Sequence, residues 1–207
     1  MIITHHGVQS FKVSFGDITL CFDPVSKDSK RHDAWRSGAD ITLVSINHPD
    51  MNGHAQASRG TQETFLIKGP GEYEIQGIFI KGLESFSEYG GKEVLNTIYT
   101  VNMEGMNICF LGALGNPSIP PATKEAIEGV DILFVPIGGD GVLSPHEAYK
   151  FAVSLEPSLI IPMNYSEESL KLFLKEGGSK ENSPVDKLTI KKKDLDGKEG
   201  EVVVIKE

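Results

Sequence analysis

The side chains best suited to chemistry in this chain collect in loops that follow short apolar runs. The segment Asn47-His48-Pro49-Asp50-Met51-Asn52-Gly53-His54 follows the apolar run at residues 41–46. Its imidazoles and carboxylate, set at short spacing, are donors that zinc or manganese accepts. The same side chains also suit a hydrogen-bonded turn. In that reading Asp50 caps the loop by accepting backbone N–H groups and His48 is a half-buried, hydrogen-bonded imidazole. Spacing alone leaves both readings open. His5 and His6 follow the first β-prone run and form a second imidazole pair, which could equally cap backbone groups at a strand end. Two more loops follow apolar runs: Gly112-Ala113-Leu114-Gly115-Asn116 and Met163-Asn164-Tyr165. Strand ends that open into polar loops are where layered folds commonly place ligands. Nucleophile chemistry has no matching signal, because the chain contains neither a Gly-x-Ser-x-Gly elbow nor a Cys/His pair. Gly138-Gly139-Asp140-Gly141 lacks the lysine of a phosphate-binding loop and reads as a strand-to-helix turn.

Those loops need elements to hold them. Residues 2–4, 10–15 and 18–22 read as strands, the last two joined by a Gly16-Asp17 turn into a hairpin. Residues 41–46 have the continuous apolar character of a strand buried on both faces. Strands follow at 64–67, 72–75 and 78–81, with Gly69-Pro70-Gly71 as the turn between the first two. Further strands are expected at 96–102, 106–111, 131–137 and 159–162, then 187–191 and 201–205. Helices are expected at 120–128, 145–155 and 166–176, with Ser144 as an N-cap for the second. Many strands with a few helices and no linker predict one α/β (α+β) domain over residues 1–207, with two sheets face to face and helices outside.

Composition excludes several classes. The 207 residues are 39% hydrophobic and 24% charged, which is ordinary for a globular chain and wrong for a disordered or collagen-like one. A net charge of −9 argues against a nucleic-acid partner, although Lys187, Lys191, Lys192 and Lys193 cluster locally. The two cysteines, Cys21 and Cys109, lie within apolar runs and read as buried core side chains. No signal-peptide pattern or membrane-length apolar run occurs, so the expectation is a cytoplasmic protein without a membrane partner.

The order of landmarks resembles the metallo-β-lactamase superfamily, and most nearly its short bacterial Zn-dependent hydrolase branch related to ascorbate-phosphate lactonase. The likeness rests on Gly69-Pro70-Gly71-Glu72-Tyr73-Glu74, Asn96-Thr97-Ile98-Tyr99, Phe110-Leu111-Gly112-Ala113-Leu114-Gly115 and Ile161-Pro162-Met163-Asn164-Tyr165, and it spans essentially the whole chain. It implies a four-layer αββα sandwich of two mixed sheets, with a one- or two-metal hydrolytic site at the edge where the sheets meet. The family's seven ligand positions fall on Ile46, His48, Asp50, Met51, Ser87, Ala113 and Asn164. Only His48 and Asp50 keep a ligating side chain. The resemblance therefore implies a vestigial pocket at Ile46, Met51, Ser87, Ala113 and Asn164, with no cofactor of the standard dinuclear kind. The alternative is a relocated site for one zinc or manganese ion, completed by His5, His6 or His54, or by Glu72 or Glu88. A metal-free protein would bind a small molecule or a protein partner, or assemble as a homo-oligomer. An active one would hydrolyse a phosphorylated metabolite, a lactone or a phosphodiester.

Overall fold

A computed structural model describes residues 1–178 and 183–207. Among the described residues, thirteen strands run in chain order: β1 (Ile2–His5), β2 (Phe11–Phe15), β3 (Ile18–Phe22), β4 (Ile41–Leu43), β5 (Phe65–Ile67), β6 (Gly71–Ile75), β7 (Ile78–Ser87), β8 (Val94–Met103), β9 (Met106–Phe110), β10 (Ile132–Pro136), β11 (Leu159–Met163), β12 (Leu188–Thr189) and β13 (Glu201–Val202). They form a six-stranded sheet in the order β12-β1-β2-β3-β4-β5 and a seven-stranded sheet in the order β13-β11-β10-β9-β8-β7-β6. Both sheets are mixed: β3, β4 and β5 run parallel in the first, and β9, β10, β11 and β13 in the second. The sheets and helices match the expected α/β sandwich.

Alternation in the sequence decides which face each sheet buries. In the β2–β3 hairpin, Phe11 pairs with Phe22 and Val13 with Leu20, facing inward, whereas Lys12 pairs with Cys21 on the outer face. The inward rows meet residues such as Tyr99, Phe110, Phe134 and Ile161 from the opposite sheet in one core. Phe22 stacks on Phe110 at 4.7 Å between ring centroids, and Phe11 meets Phe134 edge-on at 4.8 Å. Each such fully buried ring contributes about 1.5–3 kcal/mol of transfer free energy. β10 and β11 are buried along their whole length, because the second sheet is also covered from outside. That cover includes α2 (Pro145–Val153) and α3 (Glu167–Glu176), through Ala148, Phe151, Ala152 and Phe173. Ser144 caps α2 by accepting the Glu147 N–H, and the Glu147 carboxylate accepts from Ser144 N in return. The third helix, α1, spans Pro121–Ala126. Over the six-stranded sheet the cover is thinner: Trp35, Ala39 and the short 3-10 turn His54–Ala57 pack on Cys21.

Two departures from the sequence expectations matter for function. The apolar run 41–46 leaves its strand at Leu43, and its last residues bridge the two sheets. Val44 N–H donates to Ile67 O at the end of β5, while Ser45 O accepts from Thr97 N of β8. The expected strand 78–81 continues to Ser87, because it stays paired with β8 along that length, while its buried positions shift from even to odd numbers after Gly82. An added Cβ at Gly82 would stand 2.7 Å from Gly69 O, so glycine here admits a close backbone crossing. Near the C-terminus the expected strands shrink to two residues each, and the lysine-rich segment forms a 3-10 turn at Lys192–Leu195.

Candidate functional site

Asp50 is buried, and both carboxylate oxygens are engaged. Ser29 Oγ donates to Oδ1 at 2.6 Å and Tyr89 Oη donates to Oδ2 at 2.7 Å. The expectation that Asp50 caps its loop by accepting backbone N–H groups is therefore corrected: two side-chain hydroxyls hold it. Asp50 N–H instead donates to His48 Nδ1 at 3.2 Å, which assigns the neutral ring's proton to Nε2. The half-buried His48 ring stands edge-on to Tyr89, with centroids 4.9 Å apart. Arg31 donates to Tyr89 Oη and its guanidinium lies 5.8 Å from the ring centroid. Burial, reinforced by the Asp50 hydrogen bond and charge, pushes the Tyr89 phenol well above its ordinary range. Ser29, Arg31 and Tyr89 were invisible to motif reading, because they come from loops far from His48 in sequence.

Beside this cluster, Ile46, Met51 and Ala113 pack into one buried apolar group with Val8, Val25, Tyr89 and Val142. Ser87 Oγ donates to Gly141 O at 3.3 Å and accepts from Tyr89 N–H at 3.1 Å. Asn164 sits at φ +50°, with its N–H donating to Val8 O at 2.6 Å and its Nδ2 to Gln9 Oε1 at 3.2 Å. The three other candidate histidines are committed elsewhere. His5 is buried, stacks on Phe11 at 4.4 Å and faces Val8 O and Ile205 O with its two ring nitrogens; burial lowers its pKa. His6 shares a 2.9 Å hydrogen bond with Thr4 Oγ1 and packs against Trp35. His54 Nδ1 donates to Asn52 O at 3.0 Å. Glu72 pairs with Lys81 at 3.0 Å on the edge strand, and Glu88 is exposed. Among the described residues, no group of three or more His, Cys, Asp and Glu side chains is arranged to hold a metal ion.

A second network, on the same side as Asn164, was read from sequence only as the end of a strand. Asp23 follows β3, is fully buried and adopts φ +44°. Its Oδ1 accepts from Ser45 N–H at 2.6 Å, and its Oδ2 accepts from Ser45 Oγ at 2.6 Å and from Gln9 Nε2. Gln9 in turn receives the Asn164 amide, so the ends of β3 and β11 are linked through side chains. Burial raises the Asp23 carboxyl to about 7, while the Ser45 and Gln9 hydrogen bonds act in the opposite direction. Asn96 does similar work nearby: Nδ2 donates to Ser85 Oγ and Leu111 O, and Oδ1 accepts from Ala113 N–H at 2.9 Å. Gly112, at φ +61°, permits that approach, since a Cβ there would lie 2.5 Å from both Asn96 Oδ1 and Ser45 Cβ.

The profile of the Beta-lactamase superfamily domain matches residues 2–164. This chain belongs to that superfamily. A UPF0173 metal-dependent hydrolase from Listeria monocytogenes serotype 4b is 26% identical over 196 residues, covering 80% of this chain and 86% of the relative. A solved structure from Thermotoga maritima, assigned as a Zn-dependent hydrolase of the metallo-beta-lactamase superfamily, superposes with a TM-score of 0.77 at 29% identity. It covers 99% of this chain and 97% of its own. The metallo-beta-lactamase fold protein YhfI from Bacillus subtilis shares the fold at 12% identity, with a TM-score of 0.63 and coverage of 99% and 96%. Superfamily membership agrees with the two mixed sheets and with the loop cluster at their shared edge.

Proposed function

We propose that this chain is a metal-free, non-catalytic member of the superfamily that works as a cytoplasmic binding protein for a small molecule or a protein partner. The observation that carries this reading is the apolar group formed by Ile46, Met51 and Ala113, at three positions where the resemblance expects metal ligands. Aliphatic and thioether groups offer a hard dication little. The two ligand types that remain, His48 and Asp50, have no third His, Cys, Asp or Glu arranged with them among the described residues. Asp50 spends both oxygens on hydroxyls, and the His48 Nδ1 lone pair accepts the Asp50 N–H. A catalytic zinc takes three protein ligands and an open position. Without a metal, water stays far too weak an acid to ionise near neutral pH, and the hydrolytic nucleophile is lost.

The test is bound metal per chain, measured by plasma mass spectrometry on untagged protein grown with added zinc and manganese. The expected result is a value near zero, with no thermal stabilisation by either ion. One equivalent, lost in His48→Ala or Asp50→Ala, would overturn the reading. The names of the relatives favour a metal-dependent hydrolase, and the alternative for this chain is one with a reduced or relocated single-metal site. Turnover of a phosphorylated metabolite, lactone or phosphodiester that both chelator and His48→Ala abolish would establish that alternative.

A further inference from the structure

We infer that the cleft at the carboxyl ends of β4 and β5 binds a small organic anion bearing an apolar group. This cleft of about 480 Å³ lies beside the apolar cluster and is lined by Ile46, Asn47, His54, Lys68, Val94 and Leu95, among others. Its size falls within the range of small-molecule sites, about 300–1,000 Å³. Its place in the fold follows from topology. β4 and β5 are parallel, so Val44 to Asn47 and Lys68 leave the sheet on the same side, where open parallel sheets receive ligands.

The lining carries two chemically distinct kinds of group. Lys68 is exposed and, among the described residues, has no carboxylate partner. Asn52 Nδ2 donates to Asn47 Oδ1 at 2.7 Å, which orients the Asn47 amide and leaves its Nδ2 as a donor. On the same lining, Val94 and Leu95 expose apolar surface, at 38% and 45%. An ammonium and an amide donor near an apolar wall complement a carboxylate or phosphate monoester attached to a hydrocarbon group. Two other clefts among the described residues lack this combination, because their lysines are already paired. Lys81 is bound to Glu72 in one and Lys198 to Glu201 in another. The inference does not depend on the metal-free reading, and a bound metal would leave it standing.

Backbone amide shifts of the whole ¹⁵N-labelled chain would test it, with phenyl phosphate and 3-phenylpropionate as probes and phenol and 3-phenylpropanol as uncharged controls. Saturable shifts are expected at residues 44–47, 68, 94 and 95, with the anions binding about tenfold more tightly than the controls. Lys68→Ala should weaken anion binding about tenfold, whereas Lys198→Ala, at a paired lysine, should leave it unchanged. Equal affinity for charged and uncharged probes, an unaltered Lys68→Ala variant, shifts centred elsewhere or no shifts at all would each overturn the inference.

Discussion

Two buried regions meet at the edge of the sandwich and solve the problem of burial in opposite ways. Around Ile46, Met51 and Ala113 the space is filled by apolar side chains. Adjoining it where Val8 meets Gln9 and Ser45 meets Ile46, the residues Gln9, Asp23, Ser45 and Asn164 bury a carboxylate, two amides and a hydroxyl, joined by mutual hydrogen bonds. An apolar cluster tolerates exchange of one hydrocarbon for another of similar volume. A buried carboxylate with its donors does not, because removing one partner strands the others. The contrast explains how positions assigned to ligands can change while the scaffold stays intact. The loops are held by the polar network, and the cluster need only be filled.

The largest effect that would test this contrast is expected at Asp23. Asp23→Ala leaves Ser45 N–H, Ser45 Oγ and Gln9 Nε2 without their acceptor and should cost about 3–5 kcal/mol, read from the urea midpoint. The same residue predicts a pH dependence. Its folded pKa, about 7, lies above the ordinary 3.8, so its contribution is fully present below about pH 4 and is lost as pH rises through about 7. The stability difference between wild type and Asp23→Asn should therefore fall between about pH 4 and about pH 7; no change would mean that the three donors hold the charged form without cost.

Met51 comes next. Met51→Ala should cost about 2–4 kcal/mol by opening a cavity, and Met51→Leu less than about 1.5 kcal/mol. If Met51→Ala proved neutral, or if zinc stabilised wild type, the apolar cluster would not be the structural filler described here. A smaller loss is expected at the boundary between the two regions. Tyr89→Phe removes the hydroxyl that donates to Asp50 and accepts from Arg31, and should cost about 1–2 kcal/mol by chemical denaturation. A loss as large as that at Asp23 would show that the polar network extends across the cluster and that the two regions are one.

Much of the fold was legible because burial leaves a period in the sequence. The β2–β3 hairpin, the doubly buried β10 and β11, and the Ser144 cap follow from alternation, continuous apolar runs and cap chemistry. The end of β4 was misplaced because Val44 and Ile46 are apolar and buried although the chain has left the sheet to bridge to β8. Burial there comes from both sheets, and hydropathy does not distinguish that from a strand. His48 and Asp50 were singled out by residue type and spacing. Ser29, Arg31 and Tyr89, which hold Asp50, carry no motif, since their partnership exists only once separate loops meet.

The sequence by itself determined the superfamily resemblance and the residue types standing at each expected ligand position, because landmark order and side-chain identity are local properties. Only the tertiary structure decided what those residues do. It placed Ile46, Met51 and Ala113 in one apolar cluster, turned His5, His6 and His54 to separate partners, and made Asp23 the centre of a buried network. Hydrogen-bond geometry and packing act over a few ångströms in space, and residues 23, 45 and 164 are brought within that range only when the two sheets close on each other.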